Sequence, residues 1–567
     1  MADIKFFALG GQDERGKNLF CVEINKEIYV FDCGIKYPEK SVLGIDMVTP
    51  NFTYLKDNSP RVKGVFISNP SIYNAGGVGY FLKDLPNVPI YCSEVAVEVL
   101  KERMMKSKIR YNDSSFKVIK HKDIIKFKET SVHIFRVTAS FPNTFGFSLP
   151  TENGTIIYMG DYMIQANNEA SFEADTLWAR DQIKSEVLAF IGDSEYANRM
   201  DFTTPNHKIE RFISSHMKNL KKRLVIGIFE EDVYKMYEII RLAKESGRKV
   251  AIYGKTLLKI IQNKTVQEEL DLKPSDIIKT SEVSKYPDCV IIINGTGDIL
   301  YSRLDKMAND GDESITFDEN DTIILAVAPM PGVEKRHAQT LDELARTNAE
   351  LISLSDKAIW SMRASYEDIK LMVNIFKPKY FIPVKGLYKN FLCAEKAAIE
   401  AGIFSKNVMI LKNGQTLKLS KDRLVYENEK IKVNDVYVNV VGVGDVSSIV
   451  LNERKQLSTN GILVVGVNVD SKTKEIASLI DIQMRGLVYI FEDSPIFKIM
   501  QKQVIDIIAK HTELFKKTPK EYDQENLKKE INLKIGQIVK TETGKKPIIL
   551  VVINELEEDR YYLDGKR

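Results

Sequence analysis

The chain has 567 residues, enough for about three or four domains, with 44% apolar and 28% charged residues, the balance of an ordinary globular protein. Its 81 basic and 78 acidic side chains leave +3, which excludes a broadly basic nucleic-acid coat and confines any RNA surface to a local patch. Cys21, Cys33, Cys92, Cys289 and Cys393 are scattered without C-x-x-C spacing, and no apolar run nears the roughly 18 residues of a membrane span, so zinc knuckles, disulfide frameworks and membrane insertion are excluded and a reduced, cytoplasmic protein is expected.

In chain order, residues 1–200 alternate short β-rich runs with turn signals: 6–9 before Gly10-Gly11, 28–31 before Asp32-Cys33-Gly34, 65–68 before Gly76-Gly77, and 155–159 before Gly160-Asp161. Strands that end at Gly or Asp gather loops, and usually chemistry, on one sheet edge. Residues 201–352 change character. Stretches 208–220 and 231–246 have helical period, interleaved with strands at 224–229, 250–253 and 290–293, a βα alternation that predicts a doubly wound insert. From 353 the first pattern returns, with a helix at 366–376 stopped by Lys377-Pro378 and a strand at 380–383 before Lys385-Gly386. The charged stretch 421–435 reads as the edge of a linker. The tail, 455–567, reads as a βαβ-like unit in which strands 462–469 and 548–553 enclose helices 494–515 and 523–540. In the first of these helices Ile496, Met500, Val504, Ile507 and Ile508 have core spacing.

Several motifs, collinear over nearly the whole chain, resemble bacterial ribonuclease J. A-L-G-G-Q-D-E-R-G-K-N at 8–18 is similar to the family's A-L-G-G-x-x-E-x-G-K-N, and K-P-K-Y-F-I-P-V-K-G at 377–386 to its K-P-K-Y-F-I-P-V-H-G. P-M-P-G-V-E-K at 329–335, D-V-Y-V-N-V-V-G-V-G-D-V at 435–446 and M-R-G-L-V-Y at 484–489 add to the match. The resemblance implies an α/β protein: a metallo-β-lactamase αββα sandwich with an inserted β-CASP doubly wound domain and a small α+β C-terminal domain. The implied boundaries are 1–200 and 353–425 for the two parts of the metallo-β-lactamase domain, 201–352 for the β-CASP domain, 426–454 for the linker and 455–567 for the C-terminal domain.

The resemblance also says what is missing. The family's H-x-H-x-D-H, which holds two divalent metals (Zn or Mn), falls on Asn69, Ser71, Tyr73 and Asn74. A further ligand histidine falls on Ala139 and the last on Lys385, while the bridging aspartate is kept as Asp161. The H-x-S-G-H-x-S loop, which in the family supplies a catalytic histidine and helps hold a 5′ phosphate, reads I-W-S-M-R-A-S at 359–365. The β-CASP motifs T-G-S-Q-G-E and S-N-V-H-R read N-G-T-G-D-I at 294–299 and E-D-V-Y-K at 231–235. His121, His133, His207, His216, His337 and His511 all lie away from motif positions.

A catalytic divalent site needs at least three imidazole, carboxylate or thiolate ligands; one expected ligand survives. Tyr73 would have to lose a proton of pKa near about 10, and without metal no bound water is poised as hydroxide. No catalytic residue, metal or cofactor is therefore expected. Two readings of the altered centre stand. In one, it has become packing, with Tyr73 and Phe141 filling space. In the other, cations have replaced cations, and the Lys385 ammonium sits against Asp161, because a buried carboxylate stripped of its metals is costly. Arg363, Ala364, Ser365 and Lys385 are candidates for holding an RNA phosphate, against the plainer reading that Arg363 pairs with a nearby acid. The Gly295-Thr296-Gly297 turn is a weak anion candidate, and the basic runs 101–110 and 218–223 read mainly as solvated faces.

The resemblance implies a non-catalytic ribonuclease J paralogue of RNA degradation and maturation. It would be an RNA-binding or stabilising subunit, in a homo- or hetero-dimer or tetramer with an active ribonuclease J, away from membranes. The alternatives are a weakly active metal-dependent exo- or endoribonuclease and a protein-binding scaffold without RNA contact.

Overall fold

Two facing sheets are built from the strands that the turn signals punctuate. The computed structural model describes residues 2–38, 44–165, 169–218, 222–328, 332–421, 424–427, 430–438, 448–487, 494–519 and 522–557. The chain divides into two units, 1–37 with 47–436 and 38–46 with 437–567.

In the first unit an eight-stranded sheet runs in the order Leu424–Tyr426, Thr416–Leu419, Ile4–Gly10, Leu19–Ile24, Glu27–Phe31, Val62–Phe66, Ile90–Cys92, Phe116–Val118. A six-stranded sheet runs Tyr380–Val384, Val187–Asp193, Gly154–Met159, Thr144–Thr151, Ser131–Val137, Ile124–Lys126. Phe6, Phe20, Phe31 and Phe66 of the first meet Phe147, Ile156, Tyr158 and Leu188 of the second in one core. Helices Val78–Asp84 and Glu94–Lys106 cover the outer face of the first sheet. Helices Thr176–Gln182, Tyr366–Phe376 and Tyr388–Glu400 cover that of the second. The inner strands are buried on both faces because both faces are covered, whereas the edge strands Phe116–Val118 and Ile124–Lys126 are largely exposed. The layers are those of an αββα sandwich.

A third, wholly parallel sheet is inserted between Val187–Asp193 and Tyr380–Val384, its partner strand in the sandwich. It runs Ile277–Ile278, Val250–Tyr253, Val290–Gly295, Arg223–Phe229, Asp321–Leu325, Glu350–Ser353. It shares a core with the sandwich through Val95, Val99, Phe141 and Phe172.

In the second unit Ile462–Asp470 pairs in parallel with Ile548–Leu556 over its whole length, as a βαβ unit requires. An antiparallel edge strand, Asp481–Arg485, extends this sheet beyond the expected two strands. Helices Pro495–Lys517 and Gln524–Thr543 bury Met500, Val504, Ile531 and Ile535 against one face of it.

The stretch expected as linker carries regular structure. Leu424–Tyr426 adds to the first sheet beside Thr416–Leu419, and Ser448–Asn460 is helical. Asp435 is clasped by Lys17 and, at 2.9 Å, by Lys36. Charge there marks a paired surface strand and an ion cluster. Motif residues 329–331, 439–446 and 488–489, and residues 219–221 of one basic run, lie outside the described residues.

Candidate functional site

Strand polarity assembles the site. Glu27–Phe31 and Val62–Phe66 are parallel neighbours in one sheet; Gly154–Met159, Val187–Asp193 and Tyr380–Val384 are parallel neighbours in the other. Parallel strands place their carboxyl ends, and the residues that follow, on one edge. Those ends deliver Asp32, Asn69, Asp161, Asp193 and Lys385. All five are at most 3% exposed. Lys385 adopts φ +68°, a left-handed conformation that few bulky residues take. Gly386 follows at φ +92°, where a Cβ would lie 2.9 Å from Glu195 Cα.

Asp161 is the hub. Its Oδ1 meets both Lys385 Nζ and Arg363 Nη1. Its Oδ2 accepts from Asn69 Nδ2 at 2.6 Å and Asn74 Nδ2 at 2.9 Å. An ionised carboxylate can only accept, so both amides must turn their NH2 groups toward it. Lys385 Nζ also donates to Gly160 O at 2.6 Å. Burial opposes ionisation of Asp161, but Arg363 and Lys385 outweigh it and hold the carboxyl below its ordinary range. The expected contact between Lys385 and Asp161 is present, with Arg363 as a second cation.

Two further carboxylates flank the hub. Asp32 accepts from Ser68 N and Oγ, both at 2.8 Å, and from the Tyr158 hydroxyl at 2.6 Å; burial pushes it up to about 6. Asp193 accepts from Glu195 N at 3.0 Å through Oδ1, while its Oδ2 has no hydrogen-bond partner among the described residues. Burial raises it to about 7, against the pull of Lys385 and Arg363. Neither falls at a ligand position of the motifs matched in the sequence. The available signal was their place at strand ends followed by small residues, as in Asp32-Cys33-Gly34.

The remaining substituted positions are absorbed into local structure. Ser71 caps the turn Ile72–Ala75, its Oγ 3.4 Å from Tyr73 N, and its own N–H donates to Asn69 Oδ1 at 2.9 Å. Ala139 and Phe141 are buried, Phe141 within the core shared with the inserted sheet. Tyr73 instead lines an open cleft, and burial followed by the charge of Glu231 pushes its phenol well above its usual range, so it stays protonated. A two-metal centre needs several anionic or imidazole donors around each ion. Here the one retained carboxylate spends both oxygens on two cations and two amides, and the donor set does not fit divalent metal. Among the described residues, no group of three His, Cys, Asp or Glu is placed to hold a metal ion.

Of the phosphate candidates, Ala364 and Ser365 are fully buried. Ser365 donates through N and Oγ to Asp368, at 3.1 and 2.7 Å, to start helix Tyr366–Phe376. Lys385 is 1% exposed. Arg363 alone of the four lines the cleft, and it is bound to Asp161. The two cationic candidates, Arg363 and Lys385, are thus held inward on the carboxylate of Asp161. In the Gly295–Gly297 turn, Thr296 Oγ1 pairs with the Tyr37 hydroxyl at 3.0 Å. In the basic run 101–110, Lys101 pairs with Asp113 at 2.6 Å, Arg103 with Glu230 at 3.6 Å and Lys106 with Glu102 at 3.5 Å. Among the described residues, no helix is long and apolar enough to cross a membrane.

The cleft, about 280 Å3, opens beside this hub between the sandwich and the inserted sheet. Sandwich, insert and strand-end carboxylates together define a metallo-β-lactamase fold with a β-CASP insertion, and residues 221–344 match the family described as ribonuclease J, β-CASP domain. Residues 449–556 match the ribonuclease J C-terminal domain. The chain is 31% identical to ribonuclease J2 of Bacillus subtilis over 98% of its own length and 99% of that protein's. It is 29% identical to ribonuclease J 2 of Staphylococcus epidermidis and 28% to that of Staphylococcus aureus, in each case over 98% of both chains. The chain belongs to the ribonuclease J family. A crystal structure of a protein of unknown function from Enterococcus faecalis V583 shares the fold at 14% identity, with a TM-score of 0.50, covering 74% of this chain and all of the other.

Proposed function

We propose that this chain is a ribonuclease J-type protein of RNA degradation and maturation that does not cleave RNA. It acts in the cytoplasm as an RNA-binding or stabilising subunit of an oligomer with an active ribonuclease J paralogue. One observation carries the reading: the retained aspartate of the metal centre is neutralised by Lys385 and Arg363 and capped by two amides. A hydroxide nucleophile requires a metal to lower the pKa of water, and these residues repel the metal and occupy its carboxylate. The curated relatives, named ribonuclease J2, support the RNA-processing setting.

The test is elemental mass spectrometry of the purified protein, with cleavage of 5′-monophosphorylated RNA assayed in Mn2+ and Mg2+. Near-zero metal and no cleavage are expected, together with a mixed oligomer on addition of an active paralogue in sedimentation. Stoichiometric metal with cleavage lost in Asp161→Ala would overturn the reading in favour of an enzyme. A protein that neither binds RNA at low salt nor joins a paralogue would overturn the subunit role.

A further inference from the structure

The cleft holds two arginines that the hub does not use. Arg15 and Arg199 both stand over the ring of Tyr196, at 5.8 and 4.3 Å from its centroid, and Arg199 also stands 5.0 Å from the ring of Trp360. Stacking fixes each guanidinium plane but satisfies none of its N–H groups. Arg15 Nε and Arg199 Nη1 are both buried and have no hydrogen-bond partner among the described residues. Arg15 Nε lies 3.8 Å from Glu195 Oε1, within range of charge attraction but beyond hydrogen-bond reach. Buried donors left unmade are costly, and two like charges near one ring repel. Glu231, Asp356 and the exposed Lys389 also line the cleft; burial and the neighbouring Glu230 push Glu231 up to about 8, so near pH 7 it is mostly protonated and Glu195 and Asp356 face Arg15, Arg199 and Lys389. Lys235 is bound to Asp232 at 2.8 Å and Arg363 to Asp161, so neither is free for a ligand.

The geometry points to an anion site between Arg15 and Arg199, on the Tyr196–Trp360 wall of the cleft, that takes a phosphate group of a nucleotide chain. This site is separate from the loop 363–365, whose candidates are buried or already paired. Two guanidinium groups present paired donors in the fork geometry that suits phosphate oxygens. The aromatic walls hold the forks in place and leave a surface that tolerates a base beside the phosphate. That the phosphate belongs to RNA rests on the RNA-binding reading above; the anion site itself rests on the two guanidinium groups over one ring, each with a buried N–H that makes no hydrogen bond among the described residues.

Trp360 and Trp178 are the two tryptophans of the chain, so Trp178→Phe leaves Trp360 as a fluorescent reporter in the wall of the site. The full-length protein in this background is titrated with inorganic phosphate and with 5′-phosphorylated and 5′-hydroxyl RNA tetramers. Saturable change in Trp360 emission is expected with phosphate and with RNA. Arg15→Gln and Arg199→Gln should each weaken both at least tenfold and lower the salt slope of RNA binding by about 0.7 per lost contact. Arg199→Lys should recover part of the affinity, and unchanged melting temperatures show that the variants are folded. RNA binding that is indifferent to both substitutions, with no response to phosphate, would refute the site and leave the RNA reading standing. Phosphate binding lost in the variants, without RNA binding to any form, would keep the site and refute the RNA reading. No binding of either ligand to the parent protein refutes both.

Discussion

Replacing Asp161 by Asn keeps the shape of the hub and removes its charge. Lys385 and Arg363, 1% and 8% exposed, then face two amides with no carboxylate between them, and the new Nδ2 points a donor at donors. Removing one partner from a buried ion pair costs about 3–5 kcal/mol. At about 2.1 cal/mol/K per residue, unfolding of the larger unit carries an entropy of about 0.9 kcal/mol/K, so its melting temperature should fall by about 3–6 °C. Differential scanning calorimetry at pH 7.5 reads this directly.

The pH dependence follows from the sign of the shift. The folded pKa of Asp161 lies below its unfolded value near about 3.9. Its contribution is therefore complete above that value and disappears as pH falls through the folded pKa. The deficit of Asp161→Asn should hold from pH 5 to 8 and close below pH 4. The triple change Asp161→Leu, Lys385→Met, Arg363→Met removes all three charges together and should recover most of the loss, because a buried ionic cluster often yields to apolar residues of similar volume without cost. An Asp161→Asn protein as stable as its parent at pH 7.5 would refute the charge argument.

Other outcomes test neighbouring parts of the fold. Asp193→Asn should stabilise the protein above pH 7 by about 1 kcal/mol or more, with the gain vanishing below pH 4. A carboxyl raised to about 7 makes the native state lose stability as pH rises between those limits; urea midpoints across pH measure it. Gly34→Ala should prevent stable folding, because its Cβ would lie 1.6 Å from Tyr73 O; soluble yield and circular dichroism report the result. Ile531→Ala, at a site with no exposure in the second unit, should cost about 2–5 kcal/mol in that unit's denaturant transition.

What the sequence disclosed and what it withheld have physical reasons. Helix Tyr366–Phe376 was legible to the residue because both of its ends are local: Ser365 caps onto Asp368, and Lys377 turns left-handed before Pro378. Strand Val250–Tyr253 was equally plain, a short apolar run between turns. Strands Leu19–Ile24 and Ser131–Val137 are harder to read although both pair with sequence neighbours, because the turns at 25–26 and 127–130, each joining one of them to a neighbour, carry no glycine or proline. Leu424–Tyr426 was hidden by charged flanks. At the hub, the loss of ligands and the Lys385–Asp161 contact were readable by motif position. The amide donors Asn69 and Asn74 were not, because a weak metal ligand is also a good hydrogen-bond donor, and which role applies depends on what stands opposite. The buried state of Asp32 and Asp193 is a property of two sheets meeting, which no single segment encodes.

The cluster around Asp161 also bears on ancestry and its reversal. Restoring a histidine at position 385 or 139 would recover one ligand while Arg363 and the Asn69 and Asn74 amides stay on the carboxylate. The change at 385 gives up a satisfied ion pair, and the change at 139 forces a larger side chain into a site that is 1% exposed, before any metal can be held. On the function proposed above, the path back to a metal centre runs through less stable proteins, and the arrangement works as a ratchet: with two cations in the place of metal, such a chain changes its partners and its surfaces more easily than it gains a metal site.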